Sequence, residues 1–368
     1  MGPLNRRRFL RLGAAALAGT CIPGRAAGEQ PPALRDIASA AGLIYGSDSD
    51  VEFGQAPPEY GQLFASECAL YACWFAWALM NPRPGLSAPA AEDKNIAFAR
   101  EHHLRLTGGH LLWHQTDPDW LKTLDRDAME KAVHERIADL GQRYGAQCYS
   151  WNVVNEALEP GEGRTDGLKP TLYVKTMGPD FFDLAFRAAK AAAPNVLRVY
   201  NDYGMEMDNS YSAAKRAALL RLLDRWQAKG TPIDAVGLQS HLTINANTFD
   251  PQKFRAFLKE IASRGLKILV SELDVLDFTT PADTATRDRA VADFYARYLD
   301  VVLAEPAVKA VVTWGLSDRY SWLNNAYFAS WAQRKDKLPA RPLPYDDQLQ
   351  PKPALAALRE AFRQAPKR

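Results

Sequence analysis

The chain has 368 residues, 47% hydrophobic and 24% charged, a balance that excludes a disordered or membrane-embedded protein. Its formal net charge is +2, yet five arginines (Arg6, Arg7, Arg8, Arg11 and Arg25) fall within the first 27 residues, where no acid occurs. The rest is slightly acidic, near −3, so no basic field remains for nucleic acid or an anionic membrane, and a neutral polymer is the easier partner.

In chain order, the first segment reads as an address. Asn5-Arg6-Arg7-Arg8-Phe9-Leu10-Arg11 matches the twin-arginine export pattern, and an apolar stretch from Leu12 to Gly19 follows, too short for a stable membrane anchor. Small residues around Gly24–Ala27 offer a cleavage site after Ala26 or Ala27. We therefore expect a signal peptide over 1–27, a mature domain over 28–368, and a periplasmic or extracellular location. Cys21 leaves a lipoprotein alternative open, although Ala18-Gly19-Thr20-Cys21 is a poor lipobox. Cleavage leaves Cys68, Cys73 and Cys148, an odd number that argues against a disulfide framework. No Cys-x-x-Cys or paired histidine spacing suggests a metal.

Past residue 40, strand and helix patterns alternate. The strand candidates are Leu43–Gly46, Leu63–Tyr71, Leu104–Trp113, Tyr149–Val154, Val196–Tyr200, Ala235–Gln239, Lys267–Val270 and Ala310–Trp314. Helical spacing marks Ala128–Tyr144, Asp180–Ala193, Ser212–Lys229, Pro251–Arg264, Thr284–Ala304 and Pro353–Arg363. Asp250-Pro251 is a capping residue followed by proline at the first helical position. Eight such strands, several apolar throughout, predict an α/β fold: a single (β/α)8 TIM barrel.

Two acidic tetrapeptides sit at predicted strand ends, Val154-Asn155-Glu156-Ala157 and Ser271-Glu272-Leu273-Asp274. A parallel barrel brings all its strand ends to one rim, where paired carboxylates are the machinery of glycoside hydrolysis. Glu156 would be the acid/base and Glu272 the nucleophile. Asn155 beside the acid suits a ring hydroxyl next to the scissile bond. His241, after the sixth candidate strand, could hydrogen-bond Glu272 and be held by Asp274. Trp113, Trp314, Trp322 and Tyr203 lie at or just past strand ends, where flat rings suit the C–H faces of sugars. Each has a plainer reading, in which Glu156 is a helix-start acid, His241 a structural histidine and the aromatics packing.

Together these segments resemble glycoside hydrolase family 10, the barrel endo-β-1,4-xylanases, over about Leu104 to Ala354. The resemblance rests on Leu112–Thr116, Trp151–Leu158, Asn201-Asp202-Tyr203, Gly237–Leu242, Ser271–Val275, Thr313–Leu323 with its Trp-Gly-Leu-Ser-Asp core, and Gln350–Pro353. It implies retention, with Glu156 and Glu272 in the roles given above. It also implies that Asn155, His114 and Gln239 bind the sugar beside the cleavage point, that His241 positions the nucleophile, and that Trp314 and Trp322 form floor and lid. The implied partner is xylan or a related β-linked polysaccharide, acted on by a monomer with no cofactor, no metal, no nucleic acid and no membrane after signal removal.

The chain departs from the family in three places, the mildest being Asn152 on the fourth strand, where aspartate is common. Where the family reads Glu-Asn-x-x-Lys-Trp, Glu67–Trp77 is apolar and aromatic and has no lysine. Where it reads Arg-Gly-His-Thr, this chain reads Thr107-Gly108-Gly109-His110, so glycine takes the histidine place and His110 should face the other side of its strand. The two larger changes predict altered substrate grip, with weak activity or a different preferred chain. A glycosidase for another β-glucan or a decorated xylan, and a carbohydrate-binding relative without turnover, are the alternatives.

Overall fold

A computed structural model describes residues 31–88, 92–162, 164–244, 249–325 and 329–368. The expected signal segment lies outside the described residues. The chain begins with α1 (Leu34–Ala40), β1 (Ile44–Asp48), α2 (Pro58–Glu67), β2 (Leu70–Trp74), α3 (Trp77–Met80), α4 (Asp93–Glu101) and β3 (Arg105–Gly109). It continues through α5 (Arg126–Tyr144), β4 (Cys148–Asn155), α6 (Leu172–Met177), α7 (Phe181–Ala192), β5 (Leu197–Asp202), α8 (Ser210–Lys229) and β6 (Ala235–Leu238). The last part holds β7 (His241–Thr243), α9 (Pro251–Ser263), β8 (Lys267–Leu276), α10 (Thr284–Leu303), β9 (Val308–Thr313) and α11 (Pro353–Gln364).

All pairings between these strands are parallel, in the order β6-β5-β4-β3-β2-β1-β9-β8, and β6 pairs with β8 to close the ring at eight. This is the predicted barrel. β7 is a short continuation of the sixth strand, pairing His241 with Asp274 on β8. Two differences from the expected elements have local causes. Leu63–Glu67 ends α2 rather than starting β2, because the apolar run through Leu70 carries no glycine or proline to mark the change. β3 stops at Gly109, short of the expected Trp113, and the Gly109–His110 peptide is cis.

The main apolar core lies between sheet and helices. Inside the barrel, Ile44, Leu70, Ala72, Tyr149, Val199, Ala235, Leu269, Ala310 and Val312 form small separate clusters. Strand alternation continues this inward face to the C-terminal rim. From Ile44 it passes through Gly46 to Asp48, and from Ala72 to Trp74. Gly46 is required where β1 and β2 meet, since a Cβ there would stand 2.5 Å from the Leu70 carbonyl oxygen. The helices are held by their caps: Asp250 accepts from Gln252 N and Lys253 N ahead of Pro251, Asp125 caps α5, Asn209 caps α8 and Asp283 caps α10.

Candidate active site

β4 delivers Asn155 to the rim, and Glu156 follows in left-handed backbone with φ of +54°. A non-glycine residue there costs about 1–3 kcal/mol, and the cost is met by fixed neighbours. Glu156 N donates to the Asn201 carbonyl. Beneath this turn Asp202, at the end of β5, pairs with Lys215 of α8 at 2.8 Å, both side chains fully buried. Asp202 also accepts from Leu158 N and the Tyr200 hydroxyl. The turn carrying Glu156 is thus bonded to a buried ion pair.

β8 delivers Glu272 to the same network. Asn201 Nδ2 donates to Glu272 Oε1 at 2.7 Å and to Asn155 Oδ1 at 2.8 Å, while Ser271 Oγ donates to Asn201 Oδ1 at 2.6 Å. Gln239 Nε2 donates to Glu156 Oε1 at 3.0 Å and reaches Asn155 Oδ1 at 3.4 Å. One amide oxygen, that of Asn155, therefore receives the donors that hold each carboxylate. Gly237 makes room for this: a Cβ at that position would overlap Asn201 Oδ1.

His241 spans the two acids of β8, with Nε2 3.1 Å from Glu272 Oε2 and Nδ1 3.0 Å from Asp274 Oδ1. Trp322 Nε1 donates to the other Asp274 oxygen at 2.8 Å. Burial works against charge on His241, but Asp274 and Glu272 outweigh it and keep the imidazolium well above its ordinary range. Burial likewise pushes Glu272 up, and the imidazoles of His110 and His241 overcome it, holding that carboxyl down at about 2. Glu156 is set the other way. Burial raises it, Asp202 and Glu272 add to the rise, and the Gln239 bond opposes it only in part. One acid stays ionised and its neighbour holds its proton more tightly, the division of labour that acid–nucleophile chemistry needs.

The expected residues are distributed around this pair. Glu156, Glu272, His241, Asp274, Asn155 and Gln239 share one hydrogen-bond network, with Trp322 bonded to it and Trp314 6.3 Å from the His241 ring between centroids. Trp113 and His114 line the β3 side. His114 Nε2 stands 3.5 Å from Lys169 Nζ, and burial followed by that cation lowers the imidazole to about 4. Tyr203 stays outside the network: its hydroxyl goes to Glu159 and Lys215 Nζ sits 3.5 Å from its ring centroid.

His110 corrects an expectation. With β3 ended at Gly109, alternation does not reach it, and its buried ring turns inward with Nε2 3.7 Å from Glu272 Oε1. That distance is beyond a hydrogen bond, so it acts on Glu272 as a close neighbour rather than a bonded one. Sequence reasoning also missed several supports. Asn201 stood in a quoted motif without a role. Glu206 is buried and accepts from Ser240 N, fixing the left-handed residue between Gln239 and His241. Trp331, 61% exposed, edges Trp322 with ring centroids 6.1 Å apart. No group of metal-ligating side chains occurs among the described residues.

Residues 34–361 match the family profile "Glycosyl hydrolase family 10". Among curated proteins, endo-1,4-beta-xylanase 2 of Aureobasidium pullulans is 32% identical over 280 residues, covering 72% of this chain and 74% of that protein. Endo-1,4-beta-xylanase C of Paenibacillus barcinonensis is 30% identical over 76% of this chain, which spans only 27% of that longer relative. Native xylanase 10B of Thermotoga maritima superposes with a TM-score of 0.79 at 25% identity, covering 90% of this chain and 98% of that one. Xylanase 10B of Thermotoga petrophila RKU-1, solved with xylobiose, superposes at 0.80 and 24% identity, covering 91% and 98%.

Proposed function

The chain belongs to glycosyl hydrolase family 10, and from that premise we propose that it is an exported endo-1,4-β-xylanase that cleaves internal β-1,4-xylosidic bonds with retention. Glu272 attacks the anomeric carbon as the glycosidic C–O bond breaks, and the Glu156 proton passes to the leaving oxygen. In the second half Glu156 takes a proton from water, the hydroxide bonds to the anomeric carbon, and Glu272 departs as carboxylate. One water is consumed and both acids return to their starting states. His241 positions Glu272 and Asp274 holds His241. Trp113, His114, Asn155, Tyr203, Gln239, Trp314 and Trp322 are the sugar contacts of this reading.

The observation carrying it is the opposite setting of the two acids within one network: Glu272 held down at about 2, Glu156 raised. The xylanase relatives described above support xylan as the polymer. Residues 1–27 are read as a twin-arginine signal, which places the mature protein in the periplasm or outside. A second reading, another β-glucan or a decorated xylan, is favoured by the aromatic, lysine-free end of β2.

Wild type, Glu156→Ala and Glu272→Ala should be compared on xylan, cellulose and mixed-linkage glucan. Xylan is expected to be the wild-type substrate, with each variant slower by at least about 10⁴-fold. Azide should partly restore Glu272→Ala on an activated aryl xyloside and give inverted product. Near-wild-type hydrolysis by either variant would end the proposal.

A further inference from the structure

The acid pair sits where the strands end; at the opposite face, where they begin, the barrel opens into a cavity of about 850 Å³. Arg105, Leu197 and Lys267 are the first residues of β3, β5 and β8, and Tyr149 and Lys309 the second residues of β4 and β9. Alternation from the interior residues Val199 and Leu269 turns Leu197 and Lys267 inward at this mouth. Arg100 reaches it from α4 and Arg143 from α5. Five cations therefore line the cavity, and among the described residues no aspartate or glutamate does.

Like charges held close together repel, so a protein surface ordinarily intersperses them with the opposite sign. Here only Arg143 is so matched, by Asp139 at 2.9 Å, and the other four cations have no ion pair among the described residues. The partners they do have are neutral. Arg100 Nη2 donates to Gln147 Oε1 at 3.4 Å, Lys309 Nζ donates to the Pro306 carbonyl at 2.9 Å, and the Arg105 guanidinium lies 4.7 Å from the Tyr149 ring centroid. Asp234 is at hand, since its carbonyl accepts from Lys267 N, yet its carboxylate pairs with Arg198 at 2.7 Å. Gln147 Nε2 is buried without a partner. The cavity thus gathers open donors and positive charge, and a cleft lined by one sign of charge focuses its field and concentrates the counter-ion.

We propose that this cavity is a binding site for a small organic polyanion, a ring-sized body carrying at least two carboxylate or phosphate groups. The guanidinium forks of Arg100 and Arg105 suit the paired oxygens of either group, and Lys267 and Lys309 add point charges beside them. Gln147 Nε2 has a further N–H to give, and Tyr149 and Leu197 offer an apolar wall to the body. A single negative charge would leave most of the four cations unanswered. The ligand is small because the rest of the chain is slightly acidic, so a long polyanion would meet repulsion beyond the mouth. The site shares no residue with the acid pair or its network, and stands or falls apart from the hydrolase reading.

The test is calorimetric titration of tripolyphosphate and of trigalacturonate into the wild-type protein, with maltotriose as the neutral control. At least one anion should bind one to one and raise Tm, and should lose about tenfold or more in affinity between about 20 mM and 200 mM salt. Tighter binding of tripolyphosphate assigns the ligand's charges to phosphate groups, and the reverse order assigns them to carboxylates. Lys267→Gln and Arg105→Gln should each weaken the bound anion roughly threefold to thirtyfold, and each should raise Tm without ligand by relieving repulsion. A residue with only a structural role would lower Tm instead. Lys131→Gln, on the exposed side of α5, should leave binding unchanged, and Glu156→Ala should bind as the wild type does. Arg105→Gln, at an exposed strand start, carries the test where Lys267→Gln does not fold. No binding of either anion, or binding that survives both cavity substitutions or falls equally with Lys131→Gln, would overturn the site.

Discussion

The two sides of the rim treat their polar groups in opposite ways. From β4 round to β8, Glu156, Asn201, Gln239, Glu272, His241 and Asp274 are joined by hydrogen bonds before any substrate arrives. From β1 to β3, Trp74 Nε1, His110 Nε2 and Trp113 Nε1 are buried without a hydrogen-bond partner. Groups that perform chemistry must be oriented in advance, since reorganisation during the reaction adds to the barrier. Groups that grip substrate must keep a valence for it. Damage to the first side should therefore appear in kcat or in folding, and damage to the second in KM.

The largest effect belongs to the ion pair beneath Glu156. Lys215→Met leaves Asp202 charged and fully buried without its cation, and should lower the unfolding free energy by about 3–5 kcal/mol. Urea denaturation measures this, and a loss under about 1 kcal/mol would show that the networked side is not held from below. Next comes Gly237→Ala. Its methyl group would displace the Asn201 amide that bonds both Asn155 and Glu272. Misplacement of this size should reduce kcat roughly a hundredfold with KM little changed. A change confined to KM would contradict the division between the two sides.

A pH profile sharpens the same contrast. Glu272 sits at about 2 in the folded protein against an ordinary 4.5, so its contribution to stability is full above 4.5 and is lost as pH falls toward 2. His241→Gln removes the imidazolium, and the acid limb of kcat/KM should then move upward by about one pH unit or more. An unmoved limb would mean that His110 and Asn201 alone keep the nucleophile ionised.

Much of the catalytic side was legible because its residues close apolar strands in short contiguous strings. Asn155-Glu156 and Ser271-Glu272 announce themselves at the points where β4 and β8 meet the rim. The supports beneath were hidden for a physical reason: Lys215 reads as a surface lysine of α8 until the fold brings Asp202 to it from β5. The binding side was obscured differently. Leu63 to Trp77 passes from helix to strand through an apolar run interrupted only by Ser66-Glu67, with no glycine or proline, so neither the boundary of β2 nor the inward direction of Trp74 could be read. His110 was misplaced because alternation was carried past the last residue that obeys it.

The smallest effect is also the one that separates grip from stability. Asp48 is ionised in the unfolded chain above 3.8, while burial and its acidic neighbours favour the protonated form in the folded one. Its charge therefore opposes folding as pH rises past 3.8, and below that value the carboxyl is protonated in both states. Asp48→Asn should accordingly gain about 1 kcal/mol in unfolding free energy near neutral pH and almost nothing near pH 3. A gain of equal size at both values would assign the effect to packing rather than charge. A loss at neutral pH would mean that the Ser49 backbone N–H bonded to the Asp48 carboxylate outweighs its burial and its acidic neighbours.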